Sequence, residues 1–473
     1  MPMQHSSSTP RHTDRLLQNV VAGGYCIGCG VCAVREKSSL RIELDNDGKL
    51  QACAKKSYGD DASNICAVCP FSGEGSDETL LGKSLSAHNT EYDPQIGYYQ
   101  KLYAGHVEEN SDRIESASGG LVTWLLVTML KKKIIDGVVH VRPCKPTASN
   151  PLVLQYRISR TEEEIRSGVG SHYYPVEMSA VLQEVRHKEG KYAIVGVPKF
   201  ITAVRLLMKE EPIFQKRIVY CIGIIAGHMK SKYFADSIAW EKGIPPESLQ
   251  EIRFRQKKPD RSARNSYTYI KGNNNMGTKE ELIYSKNQFG SNNWGLKFFE
   301  YEAAEFSDDL MAETADISFG DAWLPQYAHN WRGANIVIVR NQVLNTLLQE
   351  AVSEKHILLE GISKEKIIQS QSAGLRHMRE GCAIRAEQKH KEGLWHPPLR
   401  TFQQKPTNPS FKNIIRERTL IAVESFPAFH KAVQENDFRI YKKIMKPFIR
   451  GYYRQRPLWY RVLSWIQRHI PYL

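Results

Sequence analysis

The sequence predicts an α/β chain, α+β overall, built from three parts, and three observations support this prediction. Six of the nine cysteines lie within residues 26–69, which indicates a small cysteine-rich module near the N-terminus. In the middle of the chain, short β-branched runs alternate with helix-length segments, as in an open α/β sheet. The last 36 residues hold nine basic residues and no acidic residue, which indicates a separate, basic C-terminal extension.

Length and composition are those of a globular protein with several domains. The chain has 473 residues, of which 41% are hydrophobic and 25% are charged, and its formal net charge is +14. These values exclude a mainly disordered chain. No run approaches the roughly 18 apolar residues of a membrane-spanning helix. Residues 1–15 lack the apolar stretch of a secretory signal, so we expect a cytoplasmic protein.

The N-terminal cysteines have the spacing of an iron–sulfur site. Cys26, Cys29 and Cys32 form a C-x2-C-x2-C triplet, and Cys69 lies 37 residues further on, directly before a proline. In ferredoxin-type domains, closely spaced thiolates and a distant Cys-Pro hold a 4Fe–4S cluster. Zinc is the alternative, since C-x2-C pairs also bind zinc, but the third cysteine and the Cys-Pro favour iron–sulfur. We predict one 4Fe–4S cluster on these four cysteines.

Two further cysteines of the N-terminal group are left over. Cys53 or Cys66 could replace Cys69 if the loop folds differently, and otherwise we expect both to be buried thiols. Eight cysteines would be needed for a two-cluster ferredoxin, and the N-terminal group has six. The remaining cysteines are scattered along the chain: Cys144, Cys221 and Cys382.

A Ser/Gly-rich turn at 116–120 is the first candidate site in the central region. It precedes Leu121–Leu130, an apolar segment of helix length. Serine at a helix start caps free amides, and glycine permits close backbone approach. Such a helix start attracts phosphate or another anion. The alternative is an ordinary capped core helix.

Short apolar runs in the central region predict buried strands. The clearest are Ile134–Val141 and Tyr192–Val197, and the second is followed by Pro198 at a predicted helix start. This strand-to-helix junction is the usual ligand end of an open α/β sheet. His228 follows the run Val219–Ala226 and is expected at another strand end, as a structural or a catalytic residue.

Asp316 and Asp321 are two further candidates. They lie on either side of Gly320, which we interpret as the centre of a turn. Their carboxylates are candidates for contact with a cofactor or a substrate. The alternative is that both only cap and shape the loop.

A series of motifs runs along the chain in an order and spacing that resemble a known family. The resemblance covers roughly residues 20–345, and the family is the coenzyme F-420 hydrogenase/dehydrogenase beta-subunit family, which includes 7-hydroxymethyl chlorophyll a reductase. It implies a flavin-binding α/β core, with FAD favoured over FMN, after a ferredoxin-like module. The motifs are Asp93–Gly97, Arg113–Leu126, Ile135–Val139, Gly170–Tyr173, Val195–Pro198, Ile222–His228, Phe254–Arg255 and Ala315–Trp323.

The resemblance also implies roles for individual residues. Lys199 and His228 would lie near the reacting face of the flavin and are the candidate catalytic residues. A lysine beside the ring would stabilise reduced, anionic flavin; the alternative is that Lys199 fills space and reaches solvent. The candidate flavin-binding residues are Ser116, Ser118, Gly119, Gly120, Ser171, Tyr173, Gly196, Pro198, Asp316 and Asp321.

The chain departs from this family at one group of positions. Members commonly carry a second cluster in the core, and its cysteines correspond here to Lys199, Ala226, Ala304 and Ser307. Alkyl and ammonium groups cannot ligate iron, so we predict a divergent member that lacks the core cluster. Electrons would then pass directly from the N-terminal cluster to the flavin.

We expect five segments along the chain, which combine these parts. They are a flexible N-terminus (1–18), a ferredoxin-like 4Fe–4S domain (19–90), a flavin-binding core (91–345), a helical extension (346–400) and a basic amphipathic tail (401–473).

The C-terminal third is charged and has helical patterns. The predicted helices are Leu347–Ile357, Ile362–Gln371 and Phe411–Val433, and Pro397–Pro409 is the predicted linker. Three dispersed histidines without metal-ligand spacing are expected at the surface: His377, His390 and His396.

Residues 439–473 combine basic residues with tryptophans and tyrosines. From Pro457 onward, apolar residues recur near helical spacing, which is typical of an amphipathic helix on an anionic membrane. We expect peripheral contact with the inner face of the membrane through this segment. Docking to an acidic partner is the alternative, and no nucleic-acid partner is expected because no recognition motif is present.

These expectations combine into an iron–sulfur flavoprotein oxidoreductase. Electrons from a ferredoxin-like donor would pass through one 4Fe–4S cluster to FAD and on to an organic substrate. A polysaccharide or lipid-linked sugar intermediate is expected by analogy, since divergent relatives resemble products of polysaccharide-biosynthesis loci. The alternatives are an electron-transfer subunit for a partner enzyme or a deazaflavin, and a non-catalytic scaffold.

Overall fold

The computed structural model describes residues 12–55, 64–86, 90–290, 293–400, 409–460 and 462. The strands in these ranges are β1 (Leu40–Leu44), β2 (Leu50–Ala54), β3 (Glu91–Asp93), β4 (Gly97–Tyr99), β5 (Lys101–Val107), β6 (Gly137–Pro143), β7 (Leu154–Ser159), β8 (Tyr192–Gly196), β9 (Ile218–Ile224), β10 (Leu249–Gln256), β11 (Tyr267–Asn274), β12 (Gly277–Tyr284), β13 (Ile317–Asp321), β14 (Asn335–Val339) and β15 (Ile357–Gly361).

Helices lie between and after these strands. They are α1 (His12–Arg15), α2 (Val31–Val34), α3 (Glu78–Leu85), α4 (Asn110–Glu115), α5 (Leu121–Lys131), α6 (Glu162–Ser167), α7 (Ser179–His187), α8 (Pro198–Glu210), α9 (Pro212–Arg217), α10 (Lys232–Glu241), α11 (Glu302–Glu305), α12 (Pro325–Ala328), α13 (Gln342–Ser353), α14 (Lys364–Ser370), α15 (Ser372–Arg376), α16 (Cys382–Lys391), α17 (Pro409–Gln434) and α18 (Phe438–Arg454). Short 3-10 or π segments occur at Leu16–Val21, Ile65–Val68, Ser285–Asn287, Trp294–Leu296 and His377–Gly381.

An eight-stranded mixed sheet forms the centre of the fold, in the order β15-β5-β14-β13-β9-β8-β6-β7. β13, β9, β8 and β6 are parallel neighbours. Antiparallel strands complete the sheet on both sides. The predicted α/β class is confirmed. A separate three-stranded sheet, β10-β11-β12, follows α10 in sequence.

The predicted strands are confirmed in existence, with small shifts in their ends. The runs that begin at Ile134, Tyr192 and Val219 form β6, β8 and β9. These strands are flanked by other strands and covered by helices, so both faces are buried and their sequences are continuous apolar runs. Leu121–Leu130 forms α5 as predicted.

The interpretation of Gly320 as a turn is wrong. Gly320 is inside β13 and pairs with Ile336 of β14. A Cβ atom at this position would lie 3.0 Å from the Ile225 side chain, so the glycine serves close packing against the β9 end. Asp316 therefore lies before the strand and Asp321 at its other end, on opposite edges of the sheet.

The N-terminal module packs directly on the central region. It contains the β1–β2 hairpin, and its buried side chains share one hydrophobic core with α7 and α8. Residues 1–11 of the predicted flexible N-terminus lie outside the described residues. Residues 12–18 are helical, and Leu16 is buried in the core, so this part is packed rather than flexible.

The C-terminal extension is mostly helical, as predicted, but Ile357–Gly361 forms β15, an edge strand of the central sheet, so the sheet extends beyond the expected boundary at residue 345. The predicted helices at Leu347, Ile362 and Phe411 correspond to α13, α14 and α17, although α13 begins and ends several residues earlier. Part of the predicted linker, 401–408, lies outside the described residues.

The apolar residues of α18 are used inside the protein. Tyr441, Met445 and Tyr452 are buried against α17 and the body of the chain. The predicted membrane-binding helix after Pro457 falls mostly outside the described residues, although Leu458 and Trp459 are exposed. In the part of the chain that the structure describes, no helix has the length and apolar character needed to cross a membrane.

Candidate functional site

The four predicted ligand cysteines meet at one small cavity. Cys26, Cys29, Cys32 and Cys69 all line it, and the other walls are apolar. We call this cavity the cysteine site. Its apolar lining includes Leu16, Val20, Ile42, Val68 and Phe71.

The loop that carries the triplet depends on glycine. Gly28 and Gly30 have φ angles of 65° and 85°, in the left-handed region. A Cβ atom at Gly28 would lie 2.3 Å from the Leu50 carbonyl oxygen, so the loop lies directly against β2. The Gly28 amide donates to Cys26 Sγ at 3.4 Å. Amides turned toward sulfur in this way stabilise thiolate ligands.

The chemistry of the cysteine site fits an iron–sulfur cluster. Burial raises the pKa of all four thiols, to about 12 for Cys29 and Cys69. For Cys29, Cys32 and Cys69, the other thiols of the site raise the pKa further. Bound metal would deprotonate these thiols and offset their mutual repulsion. Four soft ligands in an apolar cavity suit iron–sulfur, and the same donor set also accepts zinc.

The two left-over cysteines do not line the cysteine site. Cys66 is buried, as expected, and its Sγ donates to the His12 carbonyl at 3.2 Å. The expectation of burial is wrong for Cys53, which is only half-buried because it lies on the short two-stranded β1–β2 hairpin.

A second, much larger cavity of about 860 Å³ lies at the carboxyl ends of the parallel strands. Its lining includes Val141 from β6, Gly196 from β8, Ile224 from β9 and Asp321 from β13. This edge is the usual ligand position in open α/β sheets. The volume is that of a cofactor or ligand site.

Most of the candidate flavin residues line this cavity, and four candidates do not. Those at the lining are Ser116, Ser118, Gly120, Ser171, Tyr173, Gly196, Asp321 and His228. Gly119, Pro198, Lys199 and Asp316 lie elsewhere.

The serines before α5 do not cap the helix, contrary to expectation. Ser116 Oγ donates to the Asp112 carbonyl and Ser118 Oγ to the Ala334 carbonyl, both at 2.7 Å. Gly120 is the residue at the helix start, with a φ of 87° and no side chain to cap the amides. The hydroxyls therefore fix the loop. The Leu121 amide donates to Asn335 Oδ1 at 3.4 Å, so the Val122 and Thr123 amides, at the cavity lining, are the first-turn donors that a ligand could use.

Gly119 and Asp316 have structural surroundings. A Cβ atom at Gly119 would lie 2.7 Å from Asn335 Oδ1, so this glycine permits packing against β14. Asp316 Oδ2 accepts from Arg205 at 2.8 Å and from the Cys221 amide at 2.7 Å. Gly119 therefore packs behind the lining residue Asn335, and Asp316 lies at the opposite edge of the sheet.

Lys199 belongs to a buried ion-pair network, not to the cavity, so the proposed position at the flavin is wrong. Its Nζ lies 2.6 Å from Glu78 Oε1 and 3.9 Å from Asp308 Oδ1. Burial opposes the charged form, but these carboxylates outweigh it and raise the pKa of Lys199. The alternative that Lys199 reaches solvent is also wrong, since its side chain is 11% exposed.

The network around Lys199 connects three parts of the chain, and we call it the Lys199 cluster. Arg400, at the end of the helical extension, lies 3.4 Å from Glu78, 3.2 Å from Asp308 and 2.8 Å from Glu313. Burial and then the nearby carboxylates raise the pKa of Asp309, beside this network, to about 7. Lys199, Glu78, Asp308, Asp309, Glu313 and Arg400 make up the cluster.

His228 lines the cavity, as the sequence suggested for a strand-end residue. Its Nδ1 lies 3.3 Å from Glu300 Oε2 and 3.3 Å from Lys297 Nζ. Burial and then the Lys297 ammonium lower the pKa of His228 to about 4, against the pull of Glu300. The imidazole is therefore neutral near pH 7, with Nδ1 engaged by protein groups.

One ion pair at the cavity joins two sequence motifs. Arg255 donates to both carboxylate oxygens of Asp321 at 2.7 Å. Burial disfavours the charged form of Arg255, but Asp321 and then Tyr173 raise its pKa. The motif at Phe254–Arg255 was the signal that could have identified this arginine as a site residue.

The segment 176–178 connects the two sites. The Met178 amide donates to the Cys29 carbonyl at 3.0 Å, and Val176 lines the large cavity. Tyr156 also lines the large cavity, and its hydroxyl donates to the Val195 carbonyl at 3.0 Å. Burial and then the Cys29 thiol raise the pKa of Tyr156. The loop that carries Cys29 is therefore bonded to a segment that continues into the lining of the large cavity.

Several lining residues were missed because they come from distant segments. His377 was expected at the surface but is buried, and it accompanies Trp294, Lys297 and Arg418 at the cavity. The expectation failed because a histidine within a helical segment carries no sign of the partner that buries it. Here that partner is Glu305, 3.0 Å away.

Family models for the two parts of the coenzyme F420 hydrogenase/dehydrogenase beta subunit match this chain. The N-terminal model matches residues 102–183, and the C-terminal model matches residues 189–365. A chain in a solved structure, described as a xenon derivatization of the F420-reducing [NiFe] hydrogenase complex from Methanosarcina barkeri, is 17% identical with a TM-score of 0.46. The similarity covers 66% of this chain and 99% of that one.

The comparison with curated proteins gives no match. The two family models together span more than half of the chain, in the order of the family. Both fall on the eight-stranded sheet and the cavity at its edge. The chain therefore belongs to the coenzyme F420 hydrogenase/dehydrogenase beta-subunit family, a family of oxidoreductases.

Proposed function

We propose that the protein is an iron–sulfur flavoprotein oxidoreductase. It takes single electrons from a ferredoxin-like donor through one 4Fe–4S cluster and passes them to FAD and an organic substrate. The observation that carries this proposal is the hydrogen bond from the Met178 amide to the Cys29 carbonyl, 3.0 Å long, in a segment whose Val176 lines the large cavity. Cofactors bound at two sites connected in this way are expected to exchange electrons directly.

The cysteine site supplies the electron entry. Cys26, Cys29, Cys32 and Cys69 would hold the irons, and the Gly28 amide donates to the first of these sulfurs. The apolar walls exclude water from the ligands and tune the potential. A cluster bound at the cysteine site would supply one-electron transfer. A flavin bound in the large cavity would accept single electrons and deliver them in pairs as a hydride.

The large cavity supplies the flavin and substrate contacts. The Val122 and Thr123 amides, in the first turn of α5, would bind a phosphate of the flavin. Arg255, held by Asp321, offers a fixed cation beside Tyr173. His228 is neutral, and its Nε2 is the ring nitrogen left to exchange a hydrogen bond or a proton with a ligand.

The proposed substrate is a polysaccharide or lipid-linked sugar intermediate. The support is the analogy with divergent relatives, together with a cavity large enough for a ligand beside a flavin ring.

The test is flavin reduction by a protein donor under anaerobic conditions. Reduced ferredoxin is mixed with the wild-type protein and with Cys29→Ser, and flavin absorbance is followed by stopped flow. We expect Cys29→Ser to keep its flavin but to lose rapid reduction, because the electron entry is removed.

Cys53→Ser is the matched control, since Cys53 lies in the same module but off the cysteine site. It is expected to be reduced like the wild type. Equal reduction rates in Cys29→Ser and the wild type, or a wild-type protein without flavin, would contradict the proposed function.

A further inference from the structure

Lys297 is a buried cation at the wall of the large cavity. It follows the short 3-10 segment Trp294–Leu296 and has a left-handed backbone, with a φ of 59°. Its Nζ lies 2.7 Å from Glu305 Oε1 and 3.3 Å from His228 Nδ1. The residue is 2% exposed, so its charge acts in a medium of low polarity.

Arg418, from α17 of the C-terminal extension, reaches the same wall. Its Nη1 lies 3.1 Å from His377 Nδ1, and Gly295 allows it close approach, since a Cβ atom there would lie 3.0 Å from Arg418 Nη2. Arg418 Nε is buried and has no hydrogen-bond partner among the described residues. A buried guanidinium nitrogen without a partner is a donor that a ligand can satisfy.

We call this part of the cavity the basic end, defined by His228, Lys297, His377 and Arg418. The carboxylates that pair with it lie behind the lining. Glu300 is also held by Lys230 at 2.7 Å, and Glu305 by Arg385 at 3.0 Å. Four cations, Lys230, Lys297, Arg385 and Arg418, therefore face two carboxylates, Glu300 and Glu305.

The histidines do not add charge to this balance near neutral pH. Burial lowers the pKa of both His228 and His377. The basic end thus carries an excess of about two positive charges in a buried position, which is costly unless an anion binds there.

An aromatic surface adjoins these cations. Trp294 lies 4.3 Å from Tyr173 and 5.3 Å from His228, measured between ring centroids. A planar or sugar ring attached to an anionic group could pack on these rings while the anion meets Lys297 and Arg418.

We infer that the basic end binds a phosphate group of the organic substrate. Two excess positive charges match a phosphate dianion, and an arginine beside a lysine is a usual phosphate-binding pair. The inference rests on the proposed function, and it names the chemical class of the substrate.

The flavin phosphates are the competing occupant, and the position of the basic end argues against them. His377 and Arg418 lie beyond residue 365, where the family match ends. A cofactor site common to the family would be built from the matched segment. Residues contributed by the extension fit a group that is particular to this protein's substrate.

The test is isothermal titration calorimetry of the flavin-loaded, full-length protein with inorganic phosphate and, in parallel, acetate. We expect phosphate to bind more tightly than acetate, and Arg418→Met to weaken phosphate about tenfold. Arg416→Met, an exposed arginine on the same helix, is the control and should bind like the wild type. Arg418→Lys keeps the positive charge and should recover part of the phosphate affinity. Recovery would show that Arg418→Met loses affinity because it loses the charge and not because it misfolds.

Each other result has a defined meaning. Unchanged phosphate binding in Arg418→Met, or acetate binding equal to phosphate, would overturn the inference. Loss of flavin together with phosphate binding in Arg418→Met would assign the basic end to the cofactor and also overturn it. A wild-type protein without flavin would contradict the proposed function, whereas the phosphate titration would still test the basic end.

Discussion

The cysteine site and the Lys199 cluster occupy the two regions where the family resemblance leads one to expect iron–sulfur clusters. The cysteine site has four thiols in an apolar cavity. The Lys199 cluster has ammonium, guanidinium and carboxylate groups within ion-pair distance of one another. The two regions are close, since the Lys199 ammonium lies 5.4 Å from the centre of the Phe71 ring, which lines the cysteine site.

One region thus has a set of thiols that could hold a metal, and the other is a structural connection made of ion pairs. Soft thiolates bind iron, whereas paired cations and carboxylates satisfy each other. In the Lys199 cluster, Glu78 belongs to the N-terminal module, Asp308 to the central region and Arg400 to the extension. The cluster therefore joins the N-terminal module, the central region and the end of the extension to one another.

The largest expected effect comes from removing one ligand of the cysteine site. Cys29→Ser should lose nearly all bound iron and labile sulfide, because the three remaining thiols leave one iron of the cluster without its cysteine ligand. The measurement is iron and sulfide per chain after anaerobic purification. Cys53→Ser should keep the wild-type iron content, and similar iron loss in both variants would contradict the ligand assignment.

A smaller effect is expected in the Lys199 cluster. Lys199→Met should lower the free energy of unfolding by about 3 kcal/mol, because Glu78 and Asp308 lose a buried partner. Iron content should not change. Lys209→Met, on the exposed side of the same helix, should unfold like the wild type in urea. Iron loss in Lys199→Met would mean that the region takes part in cluster binding.

The third effect is a change in the pH dependence of the free energy of unfolding. Because the pKa of Asp309 is raised to about 7, the native state holds a proton that the unfolded chain releases above about pH 4. The free energy of unfolding should therefore fall as pH rises from about 4 to 7, by at most about 1.4 kcal/mol per pH unit.

Asp309→Asn should remove this contribution to the slope. The measurement is urea unfolding at several pH values, with Glu115→Gln, an exposed carboxylate, as the control. A slope in Asp309→Asn equal to that of the wild type would show that the proton is held elsewhere.

The sequence was most informative where a site is local. The spacing of Cys26, Cys29 and Cys32 predicted a shared site because a short loop brings their side chains together whatever the rest of the fold does. The strands β6, β8 and β9 were also predictable, since burial on both faces requires continuous apolar runs.

Prediction failed where long-range packing decides the role of a residue. Gly320 suggested a turn, but its small size serves packing against Ile225. Lys199 suggested a flavin contact, but its partner Glu78 lies 121 residues away in sequence. His377 and Arg418 meet across 41 residues, and no local pattern announces that contact.

The most direct test of this account is a count of iron, acid-labile sulfide and flavin on one anaerobically purified sample, with Mössbauer spectroscopy of the iron. We expect about four irons, about four sulfides and one flavin per chain, with all the iron in a single 4Fe–4S environment. About eight irons in two environments would contradict it, because the Lys199 cluster region would then have to hold a second cluster.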